Sequence, residues 1–280
     1  MSERRKNLQA QALQEAVHAL RARQFARAEQ IAASILKASR TDRTALLVLA
    51  HALLGQQRAG EAIGPLEKAA LRGTDPEIET LLGAALCDAR RSADGIAQLR
   101  RTAARRPPYL PSFQELAGRL AKAGQIHDAI GVIEDALALS PDSVDLKLDL
   151  ARLCLRTNDR ARAHANLVAA RDAAPGRPDI LIELASVQFL DGAYADAADT
   201  FRRALGLRPD DTQSRASLAM CLLEMGERDG AQAALRTLLR GRPHLLTRAA
   251  YALAASSHGR FFFRPSAAAK FLQADGAGNG

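Results

Sequence analysis

From Leu110 to Pro141 the chain reads LPSFQELAGRLAKAGQIHDAIGVIEDALALSP, two amphipathic runs parted by Gly124. The first run aligns Phe113, Leu116, Ala117 and Leu120, and the second aligns Ala129, Ile133 and Ala136. Spacings of three and four residues place such side chains on one face of a helix, so the segment predicts a helix–turn–helix hairpin. Runs of β-branched residues with period-two alternation are missing, which argues against a sheet. The expected class is all-α.

The hairpin recurs at a fixed step. A small residue stands at the eighth place of each unit: Ala16, Ala50, Gly83, Ala117, Ala151, Ala185 and Ala219. The intervals are 34, 33, 34, 34, 34 and 34 residues. The twentieth place reads Ala28, Ala62, Gly95, Ala129, Ala163, Ala197 and Ala231. A large apolar residue follows at the twenty-fourth place in six units: Leu66, Leu99, Ile133, Leu167, Phe201 and Leu235. Small residues at the eighth and twentieth places let the two helices approach, and the twenty-fourth fills the seam to the next unit. No hairpin buries its face alone, so stability has to come from stacked neighbours. Gly124, Gly192 and Gly226 at the fifteenth place supply the left-handed turn that ends the first helix. Pro107, Pro141, Pro175, Pro209 and Pro243 close the second helices.

These residues carry a resemblance. The unit resembles the tetratricopeptide repeat, a pattern of Trp, Leu, Gly, Tyr, then Ala, Phe, Ala and Pro over about 34 residues. The stretch from Pro178 to Pro209 matches it with Leu184, Ala185, Gly192, Tyr194, Ala197, Phe201, Ala204 and Pro209. The Trp place is never Trp, Glu15 stands where Leu is expected, and Arg40 and Thr74 replace the closing Pro. The resemblance implies a right-handed superhelical solenoid of antiparallel hairpins. Seven repeats are expected at 9–42, 43–75, 76–109, 110–143, 144–177, 178–211 and 212–243, after a short leading segment at 1–8. Capping helices are expected at 244–273 and a disordered tail at 274–280. Phe261, Phe262 and Phe263 would then cover the last hairpin, with docking of a partner as the alternative.

Composition agrees with close-packed helices. The apolar share is 48%, yet aromatics make up only 4% and Trp is absent. The net charge is +8, and 33 of the 39 basic residues are Arg, spread along the chain rather than massed. That spread fits a compositional bias better than a nucleic-acid surface. Cys87, Cys154 and Cys221 form no Cys-x-x-Cys pair, and no two His stand three or four apart. Neither a disulfide frame, a zinc knuckle nor a helical metal clamp is indicated. No Walker loop, dinucleotide turn or nucleophile elbow is present, so no catalytic residue, cofactor or metal is expected. With no leader-like apolar stretch and no spanning run, a cytoplasmic location is expected.

The remaining candidate is a groove. In the family that the repeat resembles, first helices line a concave face through the second, fifth, sixth, ninth, twelfth and thirteenth places. Here these include Gln114, Glu115, Lys122, Asp149, Arg152 and Arg156 in the middle units. Toward the C-terminal end they include Ile182, Glu183, Phe189, Leu190, Met220 and Leu223. The expected function is a non-catalytic scaffold that holds a segment of a partner protein there. Two other readings stand beside it: an accessory subunit of an enzyme in envelope polysaccharide or transferase work, and nucleic-acid binding along a basic convex face. The Lys–Asn carboxylate clamp of chaperone-binding relatives is missing, since Leu13, Val17, Leu47 and His51 hold those places. So is the Asn ladder of relatives fused to sugar-nucleotide transferases.

Overall fold

A computed structural model describes residues 2–240, 242–256, 258 and 264–273. The architecture is an all-α helical repeat. The chain divides into two compact units, the first ending at Pro141 and the second starting at Asp142.

The first unit is four hairpins. They are α1 (Ser2–Arg21) with α2 (Phe25–Ala38), α3 (Arg43–Gly55) with α4 (Ala59–Ala70), α5 (Pro76–Asp88) with α6 (Ser92–Ala103), and α7 (Leu110–Lys122) with α8 (Ile126–Leu139). Within this unit α2 also packs on α3, α4 on α5 and α6 on α7.

The second unit holds three hairpins and an end. The hairpins are α9 (Val144–Arg156) with α10 (Arg160–Ala173), α11 (Pro178–Leu190) with α12 (Tyr194–Leu207), and α13 (Thr212–Glu224) with α14 (Arg228–Leu239). A 3-10 turn at Pro243–Leu245 leads into α15 (Leu246–Ala255), and α16 (Pro265–Gln273) follows. Helix α15 packs on α13 and α14, and α16 packs on α14 and α15. The Phe261–Phe263 run and the tail from 274 lie outside the described residues.

Local chemistry explains where the helices begin and turn. Asp42, Asp75, Ser143 and Asp211 cap first helices, each accepting a hydrogen bond from a backbone N–H in the first turn. These N–H groups have no partner within the helix, and a capping side chain satisfies one or two of them. Pro76 and Pro178 open α5 and α11, where the missing N–H costs nothing.

The turn inside each hairpin has one geometry. Gly124, Gly192 and Gly226 have φ of +82°, +78° and +79°, as expected. The fifteenth place is equally left-handed in the other four hairpins, where Arg23, Gln57, Arg90 and Asn158 have φ between 57° and 65°. The turn therefore imposes a backbone conformation that glycine alone adopts without penalty.

Packing follows the repeat. Leu66, Leu99, Ile133, Leu167, Phe201 and Leu235 are all 2% exposed or less. Burying such a side chain contributes about 1.5–3 kcal/mol. The Ala residues at the eighth and twentieth places are 3% exposed or less. The third hairpin differs. Gly83 and Gly95 replace both Ala residues, and Glu79 is buried on α5, where it accepts from Arg105 Nε at 2.6 Å and from Thr102 Oγ1 at 3.3 Å.

Candidate functional site

The residues expected to line a groove fall on first helices, on α7 in the first unit and on α9, α11 and α13 in the second. On α7, Gln114 is half-buried and Lys122 is exposed in the last turn. Glu115 accepts from Arg119 Nε at 2.7 Å, one turn along the same helix, and Arg119 also pairs with Asp88 of the preceding hairpin.

In the second unit, charge and apolar surface adjoin. Arg152 of α9 donates to Glu183 Oε1 of α11 at 3.1 Å, joining two consecutive first helices. Asp149 is half-buried and Arg156 exposed on the same helix as Arg152. On α11, Ile182 and Phe189 are half-buried, and Leu190 is 59% exposed. Arg160 at the start of α10 donates to the Leu190 carbonyl at 2.6 Å and pairs with Asp191 at 3.1 Å, holding the end of α11 in place. Met220 of α13 is half-buried.

Leu223 is not on an open face, and Phe189 is partly enclosed. Leu223 is 1% exposed and belongs to the core cluster that includes Ala249, Ala252 and Leu253 of α15. The helix after the last hairpin covers the surface on which Leu223 was placed. Phe189 does not stand free either. Its ring packs against that cluster and meets Tyr194 edge-on, with centroids 5.4 Å apart. Tyr194 opens α12 and was not foreseen at the site. Ser186 was also missed, although it holds the ninth place on α11; its Oγ donates to the Ile182 carbonyl at 2.8 Å.

Family profiles described as tetratricopeptide repeat match residues 13–77, 120–181 and 188–256. The chain belongs to the tetratricopeptide-repeat family. Solved structures show the same fold at low identity. The C-terminal part of a TPR repeat-containing protein from Cytophaga hutchinsonii superposes with a TM-score of 0.61 at 12% identity, over 82% of this chain and 95% of that one. Two MamA structures give TM-scores of 0.53 and 0.51 at 16% and 19% identity, over 59% and 60% of this chain and 97% of each of theirs. No curated protein matches the sequence.

Tetratricopeptide repeats are generally non-catalytic and generally bind protein partners. In general terms, then, this chain is a protein-interaction scaffold. Burial raises the pKa of the Cys87 and Cys154 thiols and pushes that of Cys221 up to about 12, so all three stay neutral. Burial lowers the pKa of His51. Among the described residues no group of His, Cys, Asp or Glu is placed to hold a metal ion. No described helix is long and apolar enough to cross a membrane.

Four further Arg residues pair between repeats. Arg43 pairs with Asp75 and Glu77, Arg58 with Glu29, Arg177 with Asp145 and Arg242 with Asp210, each bridging consecutive hairpins. Solvent-exposed pairs of this kind contribute about 0–1 kcal/mol each.

Proposed function

We propose that the first-helix face of the second unit, built by α9, α11 and α13, holds a segment of a partner protein. The observation that carries this reading is Leu190. It is 59% exposed on a helix end fixed by Arg160, with Ile182 and Phe189 half-buried on the same helix and Met220 half-buried on α13. A large apolar side chain held in place but left in water is a ready anchor for a partner. The adjoining Arg152–Glu183 pair supplies polar groups that orient an incoming chain and set the encounter rate. Asp149, Arg156 and Glu183 extend that polar margin, while Gln114, Glu115 and Lys122 occupy the matching places on α7. Leu223 has no part in it, because α15 covers it.

The test uses a partner recovered with the full chain and then measured as a purified component. Leu190→Asp should weaken binding by about 2 kcal/mol, the loss of an anchor, with little change in melting temperature. Arg152→Glu should slow association and flatten its salt dependence. Phe189→Ala is the control for packing, since loss of its contacts with the core and Tyr194 should lower stability as well. A partner indifferent to both Leu190→Asp and Arg152→Glu binds elsewhere, and the proposal fails.

A further inference from the structure

A recess of about 910 Å³ opens in the first unit, away from the residues discussed above. It lies between the second helices α2 and α4 and is bounded by the starts of α3 and α5. Its apolar lining includes Leu36, Leu46, Leu49 and Ile78. Lys37, Arg40, Lys68 and Arg72 also line it, all four exposed. None of these four has an ion-pair or side-chain hydrogen-bond partner among the described residues. By contrast, Arg43, Arg58, Arg119 and Arg177 are all engaged by carboxylates.

The acids at the recess do not answer these charges. Asp42 caps α3 through Ala45 N at 2.9 Å and accepts from Gln9 at 3.1 Å. Asp75 caps α5 and is held by Arg43. Lys37 and Lys68 stand in the last turns of α2 and α4, where a cation complements the helix dipole, but Arg40 and Arg72 lie beyond those helices. Leu71, one residue before Arg72, is 88% exposed. A second recess of about 520 Å³ lies between α6 and α8, two hairpins on, and provides an internal contrast. There Asp135 lines the wall, and Arg106 spends Nη1 on the carbonyls of Ala104 and Arg105. The first recess thus gathers four unanswered cations over its apolar floor, against one, Arg100, in the second.

We propose that this recess docks an acidic segment of a partner protein, with aliphatic side chains entering the floor and carboxylates meeting Lys37, Arg40, Lys68 and Arg72. Its volume lies in the range of pockets that enclose a compact ligand or a few large side chains. The aliphatic lining favours a protein segment over nucleic acid, which single-strand binders hold by stacking bases on aromatic rings. The surface is separate from the α9–α11–α13 face, and the inference does not rest on that reading.

The test uses the full chain and labelled synthetic peptides of about a dozen residues that combine Asp and Glu with two Leu at varied spacing. Matched peptides with Ser in place of Leu, a single-stranded oligonucleotide and vesicles rich in phosphatidylserine complete the set. At least one Leu-bearing peptide should bind, and rising salt should weaken it. The double variant Lys37→Glu, Lys68→Glu should lose about tenfold in affinity, and the milder Lys37→Gln, Lys68→Gln should fall between. Circular dichroism and melting curves check that the variants fold. The inference is overturned if no peptide binds, if the Ser peptides bind equally well, or if charge reversal leaves peptide binding intact. It is likewise overturned if the oligonucleotide or the vesicles bind more tightly than every peptide and lose that binding on charge reversal.

Discussion

A β-carbon placed on Gly95 would lie 2.6 Å from the carbonyl oxygen of Gly83, across the contact between α5 and α6. It would also lie 2.4 Å from Cys87 Sγ and 2.9 Å from Cys87 N. Two of these three neighbours are backbone atoms and cannot rotate away. The third hairpin has closed to a distance that only glycine allows.

Gly95→Ala should therefore destabilise the protein, although Ala holds this place in the other six hairpins. Helix propensity alone would favour the change by about 1 kcal/mol. Overpacking against fixed backbone costs about 1–3 kcal/mol and should prevail. Denaturant titration measures the balance, and a stabilised variant would show that α5 and α6 can separate freely.

The four left-handed turns without glycine predict the opposite sign. Gln57→Gly and Arg90→Gly should each raise stability by about 0.5–1 kcal/mol, the left-handed strain outweighing the entropy glycine adds to the unfolded chain. Asn158→Gly should gain less, because Asn tolerates this conformation. Losses at both Gln57 and Arg90 in urea titrations would mean that their side-chain contacts outweigh the strain.

Acid should weaken the Arg43–Asp75 joint between hairpins and the local Arg177–Asp179 pair at the start of α11. The hydrogen bond from Arg43 holds the Asp75 carboxyl below the usual carboxylate range, and Arg177 does the same for Asp179. A pKa lowered by folding contributes stability that is fully present above the unfolded value, about 4, and is lost as pH falls through the folded value. Melting temperature should thus be level with respect to these groups from pH 8 to about 5 and fall below about 4. Both carboxyls are half-buried but their Arg partners are more exposed, so screening limits each pair to about 0.5 kcal/mol. Asp75→Asn, which keeps a capping oxygen, should make the acid decline shallower.

Removing residues 264–280 should uncover the end of the second unit. Ala268 and Leu272 of α16 are 1% and 2% exposed, and Leu272 belongs to the same core cluster as Leu235 and Leu238 of α14. The truncated chain should melt at lower temperature and self-associate, visible by light scattering. A monomer of unchanged stability would show that α16 is not a cover.

The sequence alone determined the hairpins, their step and the seam. These follow from spacing along a single helix, a property of the local chain. Ala151 and Ala185 could be placed at helix crossings, and Leu167 and Phe201 in the interior, without knowing any neighbour. Exposure on the other faces was different, because it depends on elements distant in sequence. Leu223 and Leu190 both sit at places the repeat assigns to the open face, yet α15 buries one and leaves the other in water. The left-handed backbone at Arg23, Gln57, Arg90 and Asn158 was hidden because none of them is glycine; the turn imposes the conformation and the side chain bears the strain. The recess between α2 and α4 was decided only in three dimensions. Lys37 and Lys68 stand 31 positions apart in the chain, and stacking of one hairpin on the next brings them to a single rim.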